Sequence, residues 1–481
     1  MDGMDVPALL WFRQDLRLAD NPALAALEGR RLLPVFVLDD AAAGAWAPGG
    51  AARWWLHHSL ASLGRDLASR GAPLLRARGR AEIVIPALAD AIGAGEVLAG
   101  RLLEPWARER DGRVAEALAA AGRGFRLVTS ATLHEPARVM SGSGRPYAIY
   151  TPFAKCLAAM APPEAPLPAP TRLLPVQNPP PGDALEDWRL LPRQPDWAAE
   201  FGTLWTPGEA GAAARLARFT TGPLGHYAVA RNDPGIEGSS GLSPHLRWGE
   251  ISPRQVWHAV LAASGGNQAR AWPFLSEILW REFSYHLLWH RPELPEVPLR
   301  GRFAAFPWQP DAALLRAWQR GRTGYPIVDA GMRQLRWFGW MHNRVRMIAA
   351  SLLVKHLLQP WQAGAAWFWD RLVDADLANN SASWQWIAGS GSDAAPWFRV
   401  FNPVLQGEKI RPLRALCPPL PAGTRRPARS LAAPPLGGAG CIAARRRHHA
   451  RPRLPAPGGG ACGGAPAGAG GLCRAARPGA G

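Results

Sequence analysis

The stretch from Gly339 to Phe401 constrains this chain more than any other. It reads GWMHNRVRM, then an apolar run, then DADLANNSASWQW and DAAPWFRVFNP. Trp340, Asn343 and Met347 stand at i, i+3 and i+7, so the spacing predicts a helix presenting them on one face, with Arg344 and Arg346 on its flanks. Asp374 and Asp376 open a polar segment that includes Asn379 and Asn380 and runs on to Trp384 and Trp386. A Trp-rich helical core is the plain alternative, because Trp is ordinarily core material. Core helices do not usually interleave Trp with Asn, Arg and Asp. Cations, carboxylates, amides and indoles packed so closely suit a site that holds a large polar aromatic cofactor and admits a charged aromatic substrate.

Upstream, short apolar runs at Ala8–Phe12, Leu32–Leu38, Leu74–Arg76, Val97–Gly100 and Phe125–Val128 alternate with Ala- and Leu-rich helical spacing, as at Trp54–Ser69 and Arg108–Ala121. This alternation predicts an α/β fold, a parallel sheet covered by helices, over residues 1–130. No G-x-G-x-x-G follows the first run, which argues against a dinucleotide site at that turn. Residues 131–195, Pro-rich from Ala161 to Pro195, read as a linker. Strand signals then largely stop, and amphipathic stretches at Glu209–Thr220, Pro253–Ala263, Pro273–Trp289, Ala312–Gly321, Val328–Phe338 and Met341–Leu358 predict a helical domain over residues 196–410.

The formal net charge of +18 suggests a polyanionic partner, but 12 arginines fall in residues 411–481, leaving the preceding residues near +6. That segment is Ala-, Gly-, Pro- and Arg-rich, and it cannot bury enough apolar surface to offset the entropy of ordering. It reads as a low-complexity basic tail, disordered or translated in a shifted frame. Four of the five cysteines lie there and only Cys156 lies earlier, so neither a disulfide framework nor a metal site is indicated. No apolar run is long enough to span a bilayer, and Met1–Asp20 carries charges where a signal peptide would be apolar, so the chain is expected to be cytoplasmic.

Two further segments carry chemistry. In PFLSEILWREFSYHLLW, Glu277, Trp280, Arg281 and Ser284 fall at i, i+3, i+4 and i+7 on one helix face; a surface Glu–Arg pair beside a core Trp is the alternative. GSSGLS, from Gly238 to Ser243, offers hydroxyls and flexible backbone able to wrap a pyrophosphate, although such clusters are mostly loops.

Taken together, RQDLRLADNPAL, GLSPHLRWGEISPRQVW, EILWREF, TGYPIVDAGMRQL, WMHNRVRM, DADLANNSASWQW and FNPVLQGEK resemble the DNA photolyase/cryptochrome family, most nearly its class I cyclobutane pyrimidine dimer photolyases, from Pro7 to about Lys409. The resemblance implies a Rossmann-like antenna domain and an all-helical domain holding FAD, reduced and anionic when active. It places Tyr227, Ser239, Ser240, Leu242 and Ser243 around the FAD phosphates, with Gly241 where many members have Arg. Arg281, Arg346, Asp374 and Asp376 would hold the cofactor, and Asn380 would face flavin N5, where plant cryptochromes carry Asp. Glu277, Trp280, Asn343, Met347 and Trp386 match the pocket for a flipped pyrimidine dimer; members that repair (6-4) products have His near Asn343 and Met347. Arg344 and Arg399 would contact DNA phosphates, and Trp384, Trp361 and Trp308 match an electron-transfer chain. Trp106 and Ala107 stand where folate-antenna members carry Asn and Glu, which leaves the antenna pigment open. The resemblance thus implies a monomeric carbon–carbon lyase acting on damaged DNA, the rival being a cryptochrome photoreceptor that binds FAD without repair. From Ile410 the chain departs from the family's pattern.

Overall fold

Alternation decides the N-terminal half. In β1 (Ala8–Phe12), Ala8, Leu10 and Phe12 enter one apolar cluster and Leu9 and Trp11 the other, so both faces of the strand are buried and its sequence reads as an unbroken apolar run. The computed structural model describes residues 6–392 and 400–409; Arg399 and the arginine-rich tail lie outside them. β2 (Arg31–Leu38), β3 (Leu75–Arg78), β4 (Glu96–Gly100) and β5 (Gly124–Val128) join β1 in the order β3-β2-β1-β4-β5, all parallel. Leu10 pairs with Pro34 on one side and Leu98 on the other. Helices α1 (Gly50–Ser69), α2 (Ala81–Ala91) and α3 (Pro105–Ala120) cover the sheet. The apolar spacing at Trp54–Ser69 and Arg108–Ala121 falls on α1 and α3, which start earlier, at Gly50 and Pro105; α2 was not among the stretches singled out from the sequence.

The switch of strand order falls between β1 and β4, where doubly wound sheets open a crevice. Here buried charges fill it at depth. Arg13 and Arg110 both pair with Asp111, at 2.6 and 2.9 Å, and their guanidinium carbons stand 4.8 and 4.7 Å from the centre of the Trp11 ring. Of residues 131–195, α4 (Tyr150–Ala159) packs against the helical half, with Phe153 lying 5.1 Å from Phe283, centre to centre, while the Pro-rich stretch adds a short strand β6 (Leu174–Pro175) against the start of β2 and buries Leu173, Leu185, Trp188 and Leu190 in the sheet's core.

Besides four single-turn helices, the described residues also form α5 (Glu209–Thr221), α6 (Ser243–Trp248), α7 (Pro253–Ala263), α8 (Gln268–His290), α9 (Ala312–Gln319), α10 (Pro326–Phe338), α11 (Asn343–Ser351), α12 (Trp361–Arg371), α13 (Leu377–Ala388) and α14 (Pro403–Lys409). Side chains set several starts: Ser252 and Gln255 form a capping box on α7, and Asn267 and Asp376 cap α8 and α13. Polar contacts join the two halves. Asp20 pairs with Arg254 at 2.5 Å, Trp55 donates to Glu250 at 3.0 Å, and Asp370 accepts the Gly50 N–H at 3.0 Å.

One sequence expectation is corrected. The predicted helix from Met341 to Leu358 does not carry Trp340, Asn343 and Met347 on a single face. Gly339, at φ 62°, ends α10, Trp340 lies in the connection, and the His342 side chain caps α11, which starts at Asn343. After Ser351 the chain widens into a π-helical turn, Leu352–His356.

Candidate functional site

The site is assembled around Asp374 and Asp376, on the turn entering α13. Asp374 Oδ2 accepts from Ser243 Oγ at 2.6 Å and from Arg346 Nη2 at 2.8 Å, while Arg346 Nε holds the Met341 carbonyl at 2.7 Å. Three residues singled out from separate motifs therefore meet at one carboxylate. Its other oxygen, Oδ1, is buried with no hydrogen-bond partner. A buried carboxylate oxygen left in that condition is costly, so the site suits a ligand that brings an N–H or O–H donor. Asp376 caps α13 through the Asn379 N–H at 2.8 Å and accepts the Tyr285 hydroxyl. Asn380, one turn into α13, donates its amide to the Ala365 carbonyl at 3.1 Å, which leaves the carboxamide oxygen as its acceptor for a ligand N–H.

Helix α8 borders this centre. Arg281 is buried, donates to the carbonyls of Ala131 (2.5 Å) and Leu246 (3.3 Å), and lies 4.7 Å from the Tyr285 ring centre. The Gly238–Ser243 loop approaches from another side. Ser240 Oγ accepts the Leu242 N–H at 3.3 Å, and Gly241 adopts φ +63°. A Cβ at Gly241 would stand 2.6 Å from Nη1 of Arg215. That guanidinium is held by the Leu204 carbonyl at 2.7 Å and lies 4.5 Å from the Trp205 ring centre, so a cation from α5 reaches the loop where Gly241 offers none. Tyr227 packs between Phe219 and Phe274, and burial raises its hydroxyl pKa.

On the outer face of α8, Glu277 pairs with Arg231, whose guanidinium carbon lies 5.2 Å from the Tyr227 ring centre. Trp280, one turn on, is 39% exposed. Asn343 is exposed, and Arg344, Met347 and Trp386 are half-buried; Arg344 donates to Asn232. His342 accepts the Arg344 N–H through Nδ1 at 3.2 Å. Burial, then the charges of Arg346 and Arg344, lower its pKa to about 4, so the imidazole is neutral near pH 7. Trp384 and Trp361 are buried and Trp308 is half-buried. Phe368 and Trp318 lie 5.1 and 6.3 Å from Trp384, centre to centre.

Sequence reasoning passed over Tyr150, Arg215, Arg231 and Tyr285. Arg231 follows Tyr227 at i+4 and had a legible signal. Tyr150 had none, being 126 residues from Ser276, the carbonyl to which it donates.

Residues 274–415 match the family model for the FAD binding domain of DNA photolyase, and residues 8–171 match the DNA photolyase model. A deoxyribodipyrimidine photo-lyase from Agrobacterium fabrum is 48% identical over 84% of this chain and 84% of its own length. Cryptochrome-1 of Arabidopsis thaliana is 36% identical over 84% of this chain and 61% of its own length. The crystal structure of a bacterial class III photolyase from Agrobacterium tumefaciens superposes with a TM-score of 0.81 at 47% identity, covering 85% of this chain and 84% of that one. With both halves matched and their order preserved, the chain belongs to the DNA photolyase/cryptochrome family.

Proposed function

We propose that this chain is a deoxyribodipyrimidine photo-lyase that uses reduced FAD and light to reverse cyclobutane pyrimidine dimers in DNA. The observation that carries this reading is the position of α8. Its buried side places Arg281 and Tyr285 beside the Asp374–Asp376 centre, and its open side places Glu277 and Trp280 at the surface. One helix thus borders both a cofactor cleft and a pocket open to DNA.

The residues fit FAD. The unpartnered Asp374 oxygen would accept from the flavin ring, and Arg346 beside it favours an anionic ring. Asn380 would meet N5 through its carboxamide oxygen, a neutral acceptor with no proton to deliver. Ser239, Ser240, Leu242, Ser243, Tyr227 and Arg215 would surround the phosphates, with Arg215 in place of a cation at 241. Bound and reduced, FAD would supply one photo-excited electron to the dimer and take it back after the two inter-ring bonds open, with no net redox change.

A dimer inside a duplex cannot approach this cleft, so it is rotated out, at lower cost than an intact pair. Trp280 and Trp386 would stack on it, Glu277 would hydrogen-bond to it, and Asn343 and Met347 would line the pocket. Arg344 and Arg399 would contact phosphates without reading sequence. Trp384, Trp361 and Trp308 would carry electrons inward to restore reduced FAD, a route separate from repair. Trp106 and the buried Ala107 offer neither amide nor carboxylate to a folate antenna.

Light-dependent loss of thymine dimers from an oligonucleotide, using reduced and FAD-loaded protein, tests the proposal. Dimers are expected to be reversed and (6-4) products left intact. The likeness to cryptochrome-1 supports photoreception without repair as the second reading. FAD loading with no dimer loss would select it.

A further inference from the structure

The aromatic ring that stacks on Trp280 comes from the linker. Tyr150, the first residue of α4, lies parallel to the Trp280 indole with centroids 3.6 Å apart and planes within 6°. Its hydroxyl donates to the main-chain carbonyl of Ser276 at 2.8 Å, one turn before Trp280 on α8. Phe283 meets both rings edge-on, at 5.9 Å from Tyr150 and 6.0 Å from Trp280. Both rings are therefore pinned, and Trp280 is still 39% exposed.

We infer that Tyr150 is a positioning residue for recognition of the lesion: it covers one face of Trp280, fixes the plane of the indole, and leaves the opposite face for a flipped base. The inference rests on the reading of Trp280 as a stacking platform. Its physical content is preorganisation. An exposed indole supported on neither face samples several rotamers, and stacking a base on it must first remove that freedom. The Tyr150 ring removes it before DNA arrives, and its bond to the α8 backbone ties the platform to the helix that also carries Glu277. Burial, and then the Glu277 charge, raise the Tyr150 hydroxyl pKa, so it stays a neutral donor.

The test compares Tyr150→Phe, Tyr150→Leu and Trp280→Ala in the FAD-loaded full chain. It measures fluorescence-anisotropy Kd values for one oligonucleotide with and without a thymine dimer, and repair yield per absorbed photon at saturating DNA. Tyr150→Leu is expected to weaken dimer binding by about tenfold, within the range set by stacking energies, with binding to undamaged DNA and repair yield at saturation unchanged. Tyr150→Phe keeps the ring and is expected to bind within about twofold of the parent. Equal loss of affinity for damaged and undamaged DNA would overturn the inference, as would a Tyr150→Leu protein that binds dimers normally while Trp280→Ala does not. Normal dimer binding by Trp280→Ala would instead remove the platform reading itself. Flavin absorbance and melting temperature, measured on each variant, separate a binding defect from misfolding, and if the Leu variant does not fold Tyr150→Met, which fills the space without a ring, carries the comparison with the same loss of dimer affinity expected.

Discussion

Asp374 is the residue on which the proposed cofactor site turns. It is buried, it anchors Arg346 and Ser243 through one oxygen, and it holds the other unpaired. Asp374→Asn keeps the shape and removes the charge. The expected cost to the apo protein is about 1–2 kcal/mol, less than for a fully buried pair because Arg346 reaches solvent. The larger effect falls on FAD, whose Kd is expected to rise by at least about tenfold, since a bound anionic flavin would lose the partner that orients Arg346. Thermal melting of the apo protein and titration of free-flavin fluorescence read the two effects separately. An unchanged flavin affinity would take Asp374 out of the site.

At the scale of the element, α12 acts as a spacer between the Asn380 amide and the buried Trp384 indole. Its Ala365 carbonyl receives Asn380, and Gly364, one residue earlier, lies where Trp384 presses against the helix. A Cβ at 364 would stand 2.1 Å from Cη2 of Trp384 and 2.7 Å from Cδ2 of Leu353. Gly364→Ala therefore forces the indole away, at an expected cost of about 1–3 kcal/mol from overpacking. Light-driven reduction of oxidised FAD should slow, while repair by chemically reduced protein continues. Combining Gly364→Ala with Trp384→Phe should recover most of the lost stability, because the smaller ring vacates the clash, yet photoreduction should stay abolished. Photoreduction undiminished in Trp384→Phe alone would return this Trp to a packing role.

At the scale of the whole molecule, the two halves meet through buried polar groups, and one of them titrates. Glu282, on α8, accepts the N–H groups of Leu133 (3.0 Å) and His134 (3.3 Å) from the linker. Burial raises its pKa to about 7 from 4.5, against the pull of Arg281 and of those two N–H groups. Between about pH 4.5 and 7 the unfolded chain gives up a proton that the folded chain keeps, so this group's contribution to stability falls as pH rises through the window and is constant above it. Glu282→Gln keeps an acceptor for the linker and cannot ionise. The melting temperature of Glu282→Gln, compared with that of the parent, is expected to improve from pH 5 to pH 8. A difference independent of pH would mean that Glu282 ionises in the folded protein as it does in the unfolded chain.

What the sequence determined by itself was whatever repeats locally or sits in a compact motif. Apolar runs at Ala8–Phe12 and Leu32–Leu38 became β1 and β2 because a two-sided buried strand needs no partner sequence to announce it. Pro253–Ala263 became α7 because Ser252 and Gln255 cap it from within four residues. Arg346 and Asp374 were each legible through the family motifs that contain them, and the structure pairs them at 2.8 Å. The helix through Trp340 was misread because apolar spacing runs on across Gly339, and the capping His342 that restarts the helix leaves no periodic trace. Tertiary structure alone decided the rest. Tyr150 on Trp280, Arg231 on Glu277 and Arg215 against Gly241 each join segments with no periodic relation, brought together by how the linker and short loops fold back onto α8 and α5. Such meetings depend on where several elements end, which no single stretch of residues encodes.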